Sequence, residues 1–267
     1  MKNIKKLKLV VFGDLPLATK MVKDLLKISD VELIGVVVSN KKINNNDPWH
    51  EPPLLEFTYS SKLMRYTFTE LEDNFLDNKL DFGISCRFSR IIPKNIIQLF
   101  RYGIINFHGG ILPAMGGLNT VCHSILNESE TAGGTLHFID EGIDTGDIID
   151  IEKFEINDDD TSYDLHKRTQ LALWKLFKRN IGDLIALNIE SIKQEILLEK
   201  GHERKYYGND DLNDKKRIIL NDIDYNKIKK TTLAFDFPNH IPAYIQNENK
   251  LKIYLSTKPP LEDRLVY

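Results

Sequence analysis

The chain has 267 residues, 42% hydrophobic and 28% charged, which suits one large domain or a main domain with an appendage around a sizeable core. A formal net charge of −3 excludes the overall basic field of a nucleic-acid binder, and two cysteines, Cys86 and Cys122, exclude a disulfide framework and fit a reducing compartment. The apolar run after the basic start is too short for a signal peptide, and no stretch approaches the roughly 20 apolar residues of a membrane span, so a cytoplasmic protein without membrane or nucleic-acid partners is expected.

Leu7–Phe12 reads as a buried strand. Gly13-Asp14-Leu15-Pro16 then turns into a helix, with Pro16 near its first position and Leu17, Met21, Leu25 and Ile28 on one face. Val31–Val38 is a second, β-branched strand. The turn lacks the G-x-G-x-x-G pattern, so a doubly wound sheet is expected without a dinucleotide. Residues 40–53, "NKKINNNDPWHEPP", read as a loop. It is either a surface excursion or, because open α/β sheets hold ligands at the carboxyl ends of their strands, a substrate-facing segment whose Trp49 stacks on a ring. Leu80–Cys86 is a third strand, Pro93–Phe100 a short helix, Tyr102–Phe107 a fourth strand and Asn119–Leu126 a helix. Gly133–Ile139 and Ile148–Ile156 read as strands. Thr161-x-x-Asp164 is a capping box opening a helix to about Leu187, with Leu165, Leu171, Leu173, Trp174, Phe177 and Ile181 as its apolar face. Beyond Lys200 the chain is rich in aromatics, Pro, Asn and Asp, with short strand-like runs such as Leu251–Leu255. The expectation is a domain over 1–190 and a small β-rich subdomain over 200–267, packed together because the latter is too small for a large core of its own. The basic runs Lys215-Lys216-Arg217 and Lys227–Lys230 read as solvated surface charge.

Two stretches carry chemistry. In "INFHGGILPAMGGLN", Ile105 to Asn119, Asn106 and His108 are two apart and share one face of a strand at its carboxyl end. His108 is suited to general acid or base work near neutral pH, and the Asn106 amide to a developing oxyanion. Gly109 and Gly110 would let a ligand approach the backbone. The competing reading is a satisfied core histidine beside a turn. The second stretch, "DEGIDTGD" from Asp140 to Asp147, holds four acidic side chains and two glycines in eight residues. It lacks the EF-hand ligand order. It is either a solvated acidic hairpin or a loop with one carboxylate facing His108, orienting the imidazole and favouring its protonated form. His137 reads as packed within a strand, as do His123 and Cys122 on a helix, and His50, His202 and His240 lack zinc spacing.

Asn106-x-His108 followed by Gly110-Ile111-Leu112-Pro113 and Gly117, together with "GGTLHFIDEGIDTGDII" from Gly133 to Ile149, resembles the N-formyltransferase family that uses N10-formyltetrahydrofolate. That family includes methionyl-tRNA, glycinamide ribonucleotide and nucleotide-sugar N-formyltransferases. The resemblance is concentrated in residues 80 to 150 and weaker from residue 7 onward. It implies an α/β, Rossmann-like, mostly parallel sheet and places the family's catalytic asparagine, histidine and aspartate on Asn106, His108 and Asp144. Asn106 would donate to the formyl oxygen. His108 would be base to the attacking amine or a cation beside the oxyanion. Asp144 would hold His108 and relay a proton through water. By the same analogy, two loops hold the pterin: Ser85, Cys86, Arg87, Phe88 and Ile91 in one, Asp140 and Gly142 in the other, with Met115 lining the cavity. Structural roles for Cys86 and Arg87, and gap-filling by Met115, are the alternatives.

The run His108-Gly109-Gly110 replaces the His-Pro-Ser or His-Ala-Ser of many members, which points to the nucleotide-sugar branch. Arg204-Lys205-Tyr206-Tyr207 with Asp210-Asp211-Leu212, and Phe235-Asp236-Phe237-Pro238, point the same way. That branch implies a dTDP- or UDP-linked amino sugar, with dTDP-4-amino-4,6-dideoxyglucose first and the 3-amino isomer next, feeding a surface polysaccharide. It also implies contacts from Trp49, Gly109, Gly110, Tyr207 and Phe237, no metal, and a homodimer. Packing of the appendage is the competing role for Trp49, Tyr207 and Phe237. Methionyl-tRNA or glycinamide ribonucleotide formyl transfer and formyltetrahydrofolate hydrolysis are the alternative activities.

Overall fold

Uninterrupted apolar runs form the inner strands of a central sheet, as expected for strands covered on both faces. In chain order the first half runs β1 (Leu7–Gly13), α1 (Pro16–Leu25), β2 (Val31–Val37), α2 (Leu54–Ser60), α3 (Phe68–Phe75), β3 (Phe82–Cys86), α4 (Lys94–Ile97) and β4 (Ile104–His108). There follow β5 (Gly116–Gly117), α5 (Thr120–Leu126), β6 (Thr131–Phe138), β7 (Ile148–Glu155), α6 (Ser162–Ile185) and α7 (Gln194–Glu199). The last part holds β8 (Tyr206–Tyr207), β9 (Arg217–Ile218), α8 (Tyr225–Ala234), β10 (Tyr244–Gln246) and β11 (Lys252–Tyr254). This computed structural model describes residues 6–39, 46–77, 79–219, 224–246 and 251–257; residues 40–45 of the expected loop lie outside that set.

The main sheet has the order β2-β1-β3-β4-β6-β7. The first four strands are parallel, and β6 and β7 run antiparallel to their neighbours. Alternation along β1 divides the core: Leu9 and Val11 face α1 and α6, whereas Val10 and Phe12 face the layer of α3 and α4. On the first face Leu17, Met21 and Leu25 meet Leu173, Leu176 and Phe177. On the second, Leu71 and Ile96 close over Val10, Phe12 and Ile104. The strand order turns back on itself at β1, which sets a cleft at the carboxyl ends of β1 and β3 and of β4 beside them.

The capping box opens α6: Thr161 Oγ1 accepts from the Asp164 N–H at 3.1 Å and Asp164 Oδ2 accepts from the Thr161 N–H at 3.3 Å. Leu171, expected on the apolar face, is 47% exposed. Two residues from Leu173 it falls roughly 200° around the helix, on the solvent side. Ile28 lies beyond the end of α1 and is only partly buried. The helices α2 and α3 were not expected; a second capping box, Thr67 with Glu70, starts α3.

The C-terminal region holds the small sheet expected of it, and a helix besides. Its three-stranded sheet, β11-β10-β9, is joined by the ten-residue α8, which packs on α5 through Cys122, Ile125, Leu233, Ala234 and Phe235. The strand β8 leaves this region and pairs with β5 in the glycine loop. Among the described residues no helix is long and apolar enough to cross a membrane.

Candidate active site

The antiparallel pairing of β4 with β6 sets the site. It places Asn106 opposite His137 and His108 opposite Thr135. His108 ends β4 nearly enclosed, at 8% exposure. Its Nε2 lies 2.6 Å from the Met115 carbonyl oxygen. A carbonyl only accepts, so Nε2 carries the hydrogen and the lone pair of the neutral ring is on Nδ1. The glycine loop folds back to make that contact. Thr135 Oγ1 donates to the Gly110 carbonyl at 2.6 Å and accepts from the Leu112 N–H at 3.1 Å, while the Thr120 hydroxyl donates to the Gly109 carbonyl.

Gly110 has a cause of its own. A Cβ there would stand 2.4 Å from the Met115 oxygen and 2.8 Å from His108 Nε2, so protein atoms occupy the place a side chain would take. At Gly109 a Cβ would meet Thr169 Cγ2 at 3.3 Å.

Asp144 approaches from the β6–β7 loop in the left-handed conformation, φ 55°. Asp tolerates that region better than most residues. Its Oδ2 accepts from the Gly117 N–H at 2.8 Å and stands 3.5 Å from His108 Nδ1. Its Oδ1 stands 3.6 Å from His137 Nε2. Burial works to raise the Asp144 carboxyl, but at the low pH where it titrates the charged forms of the two imidazoles, with the Gly117 N–H, outweigh it and bring the pKa down to about 2. Burial lowers the pKa of His108, and His137 adds to this; Asp144 and the Met115 carbonyl oppose it without prevailing. At neutral pH the site therefore pairs a neutral imidazole with a carboxylate.

His137 Nδ1 donates to the Phe138 carbonyl at 2.7 Å, which leaves Nε2 to accept from Asn106 Nδ2 at 3.1 Å. The imidazole thus fixes the amide and leaves Asn106 a second N–H. The arrangement can take a proton at His108 Nδ1, stabilise the resulting cation with Asp144, and offer an amide hydrogen to a developing oxyanion.

Sequence reasoning gathered Asn106, His108 and Asp144 but took His137 as packing; only the β4–β6 register reveals its place. Gln194 was also missed. Its Nε2 donates to the Asp144 and Gly146 carbonyls, each at 2.9 Å.

The two loops assigned to the pterin are residues 85–91 and 140–144. Ile91 is 75% exposed and Ile143 47%, one apolar side chain on each loop. Lys94 Nζ lies 2.5 Å from Glu141 Oε1 and ties the start of α4 to the acidic loop. Asp140 shapes that loop by accepting from the Gly142 N–H at 3.1 Å and the Thr145 hydroxyl at 2.7 Å. A Cβ on Gly142 would strike Thr145 Oγ1 at 2.1 Å, so that glycine serves the same turn. Ser85 and Cys86 are buried in β3 between β1 and β4, and burial pushes the Cys86 thiol up. The Phe88 ring packs on Phe12 and Phe68 at 5.8 and 6.1 Å. Arg87, at φ 55°, sets Nη2 3.3 Å from Asp47 Oδ1, and His166 Nε2 lies 3.3 Å from that same oxygen. Met115 acts through its carbonyl.

The three aromatic candidates for sugar-nucleotide contacts also touch other rings of the chain. Trp49 meets Trp174 at 6.1 Å and carries the Lys20 ammonium over its ring at 5.0 Å. Phe237 packs edge-on against Tyr163, His166 and His240. Tyr207 stacks on His123 at 3.9 Å, and its hydroxyl accepts from Asn127 Nδ2 at 2.7 Å.

Comparison with known proteins bears on the same residues. The family model described as "Formyl transferase" matches residues 7–181. The methionyl-tRNA formyltransferase of Fusobacterium nucleatum is 29% identical over 170 residues, 62% of this chain and 50% of the relative. The chain spans about half the length of the curated relatives it matches first. A 4-N formyltransferase from Francisella tularensis has the same fold, with a TM-score of 0.77, 23% identity, and coverage of 96% of this chain and 98% of that one. The N-formyltransferase from Helicobacter canadensis, solved with folinic acid and dTDP-3-aminofucose, gives a TM-score of 0.72 at 28% identity, covering 92% of this chain and 86% of that one. Asn106, His108, His137 and Asp144 all fall within the matched span, which takes in well over half of the chain: the protein belongs to the formyl transferase family.

Proposed function

We propose that the protein is a sugar N-formyltransferase that moves a formyl group from N10-formyltetrahydrofolate to the amino group of a dTDP-linked amino-dideoxy sugar. The observation that carries this reading is the neutral His108 whose Nδ1 faces the ionised Asp144, with the Asn106 amide held beside it by His137. The amine nitrogen attacks the formyl carbon while His108 Nδ1 takes the amine proton. Asn106 donates to the oxyanion, an effect worth roughly 3–4 kcal/mol in comparable sites. Asp144 stabilises the imidazolium, which returns the proton to N10 as the carbon–nitrogen bond to the folate breaks. Backbone groups of residues 85–91 and 140–144, with Ile91 and Ile143 as apolar walls, hold the pterin.

For the acceptor, dTDP-4-amino-4,6-dideoxyglucose is the sugar proposed. The Helicobacter canadensis relative, with its bound dTDP-3-aminofucose, supports a dTDP-sugar acceptor and makes the 3-amino isomer the chief competitor. The protein would act in the cytoplasm, and its product would feed a surface polysaccharide. A homodimer is proposed through the C-terminal sheet, whose edge strand β11 leaves Ile253 and Tyr254 exposed. Light scattering that returns only a monomer would reject it.

The test is incubation with N10-formyltetrahydrofolate and each of several acceptors, read by the mass gain of one formyl group. The acceptors are both dTDP-amino sugars, their UDP counterparts, glycinamide ribonucleotide and methionyl-tRNA. Transfer to methionyl-tRNA alone would replace this reading with the activity named for the curated relatives. Tetrahydrofolate released without an acceptor would identify a hydrolase.

A further inference from the structure

Gln194 is the first residue of α7, fifty positions beyond Asp144 and outside the span matched by the family model. It is fully buried. Both hydrogen bonds of its amide nitrogen go to the loop that carries Asp144: Nε2 donates to the carbonyls of Asp144 and Gly146 at 2.9 Å each. The backbone just before it is tied to the end of the same loop, since Ile192 and Ile148 exchange N–H to carbonyl bonds at 2.7 and 2.8 Å. The far side of the loop is closed by tight packing, for a Cβ on Gly146 would stand 2.0 Å from the Phe138 carbonyl oxygen.

Asp144 needs such a hold. Its φ of 55° is a backbone state with a cost of order 1 kcal/mol or more for a residue bearing a Cβ. Its side chain is short, so the carboxylate follows the backbone closely. The 3.5 Å and 3.6 Å separations from His108 and His137 depend on where that backbone sits.

We infer that Gln194 is a positioning residue for the transfer reaction: its amide, bridging the Asp144 and Gly146 carbonyls, fixes the left-handed turn that aims the Asp144 carboxylate at His108. The inference rests on the proposed cooperation of His108 and Asp144 in formyl transfer. One of its readouts needs no substrate. His108 is faced by Asp144, which raises its pKa, and by His137, which lowers it, in a setting where burial is the largest influence and also lowers it. A carboxylate that drifts away leaves only the Met115 carbonyl to oppose the lowering influences, and the pKa falls.

The experiment compares the full wild-type chain with Gln194→Met, which keeps the length of the side chain and removes both donors. Displacement of a reacting group by ~1 Å costs about a hundredfold, so kcat is expected to fall by about ten- to a hundredfold with both KM values within about twofold. In the substrate-free protein the His108 titration, followed by the NMR of its ring, is expected to move down by about half a pH unit. Gln194→Glu, polar and of the same length, supplies the second arm should the Met variant not fold. It loses the paired donors of the amide, so the same fall in kcat is expected; its added acidic group also bears on His108, so the titration readout is kept to the Met variant. A folded variant with unchanged kcat and unchanged His108 titration, melting only at a lower temperature, would show Gln194 to be structural and overturn the inference. So would a raised KM with unchanged kcat. A wild-type chain inactive on every acceptor would defeat the proposed transfer while leaving the His108 titration to decide the positioning.

Discussion

The two ring nitrogens of His108 have different tasks because their neighbours differ. Nε2 is held by an acceptor, so only Nδ1 can take a proton, and Asp144 waits beside it. His108→Asn should therefore reduce kcat by roughly 10²–10⁴-fold with the fold intact, judged by circular dichroism and turnover. A variant of near wild-type rate would remove His108 from the chemistry. Because burial lowers its pKa, the active, neutral form persists to lower pH than for a free imidazole. The profile of kcat/KM should rise to a plateau with its acid inflection below about 6.5; an inflection above that value would contradict the site as described. Asp144 makes a separate prediction about stability. Its folded pKa is depressed from the model-compound value of 3.8 to about 2, so its contribution is complete above about pH 4 and is lost as pH falls towards 2. That contribution is on the order of 2 kcal/mol. Asp144→Asn should flatten this part of the acid-unfolding curve measured in urea, and an unchanged slope between pH 4 and 2 would refute the assignment.

The glycine loop between β4 and α5 shows what an element can hide from its own sequence. Gly110 suggests room for a ligand, and the structure adds a second cause: the place of a side chain is taken by the Met115 carbonyl and the His108 ring. Gly110→Ala should push both aside, lowering stability by about 1–3 kcal/mol and kcat by an order of magnitude or more; normal stability and activity would contradict this close packing. The strands and α1 were legible because burial on both faces leaves continuous apolar runs and a helix leaves a period of 3.6. The capping box made α6 legible to within two residues. The helix α8 was not, because its sequence "YNKIKKTTLA" has few apolar residues and gains its buried side from α5. At the site, Asn106 and His108 could be paired from their spacing alone, since a period of two fixes their common face. Asp144 was reached through the resemblance. His137 needed the antiparallel register with β4, and Gln194 needed the third dimension, where no local period points to it.

At the scale of the whole molecule, the C-terminal region acts on the site as well as on the surface. Lys205 donates its N–H to the Pro113 carbonyl at 3.1 Å and accepts from the Gly116 N–H at 3.0 Å; the Tyr207 carbonyl accepts from the Leu118 N–H at 2.8 Å. The glycine loop is thus one strand of a two-stranded ribbon whose other strand comes from beyond residue 200. Gly117 stands at the junction. Its N–H holds Asp144, its φ is 87°, and a Cβ there would stand 2.2 Å from the Tyr207 carbonyl oxygen. Gly201 has a similar φ of 91° but nothing within 4 Å of a Cβ. The pair separates backbone strain from contact. Gly201→Ala should lower stability by about 1 kcal/mol and leave kcat alone, since only the left-handed conformation is penalised. Gly117→Ala should lose more stability and also at least about tenfold in kcat, because parting the ribbon moves the N–H that holds Asp144. The comparison requires only melting curves and turnover on the two variants. Equal losses of stability with unchanged kcat in both would mean that the ribbon holds the fold together without reaching the catalytic carboxylate.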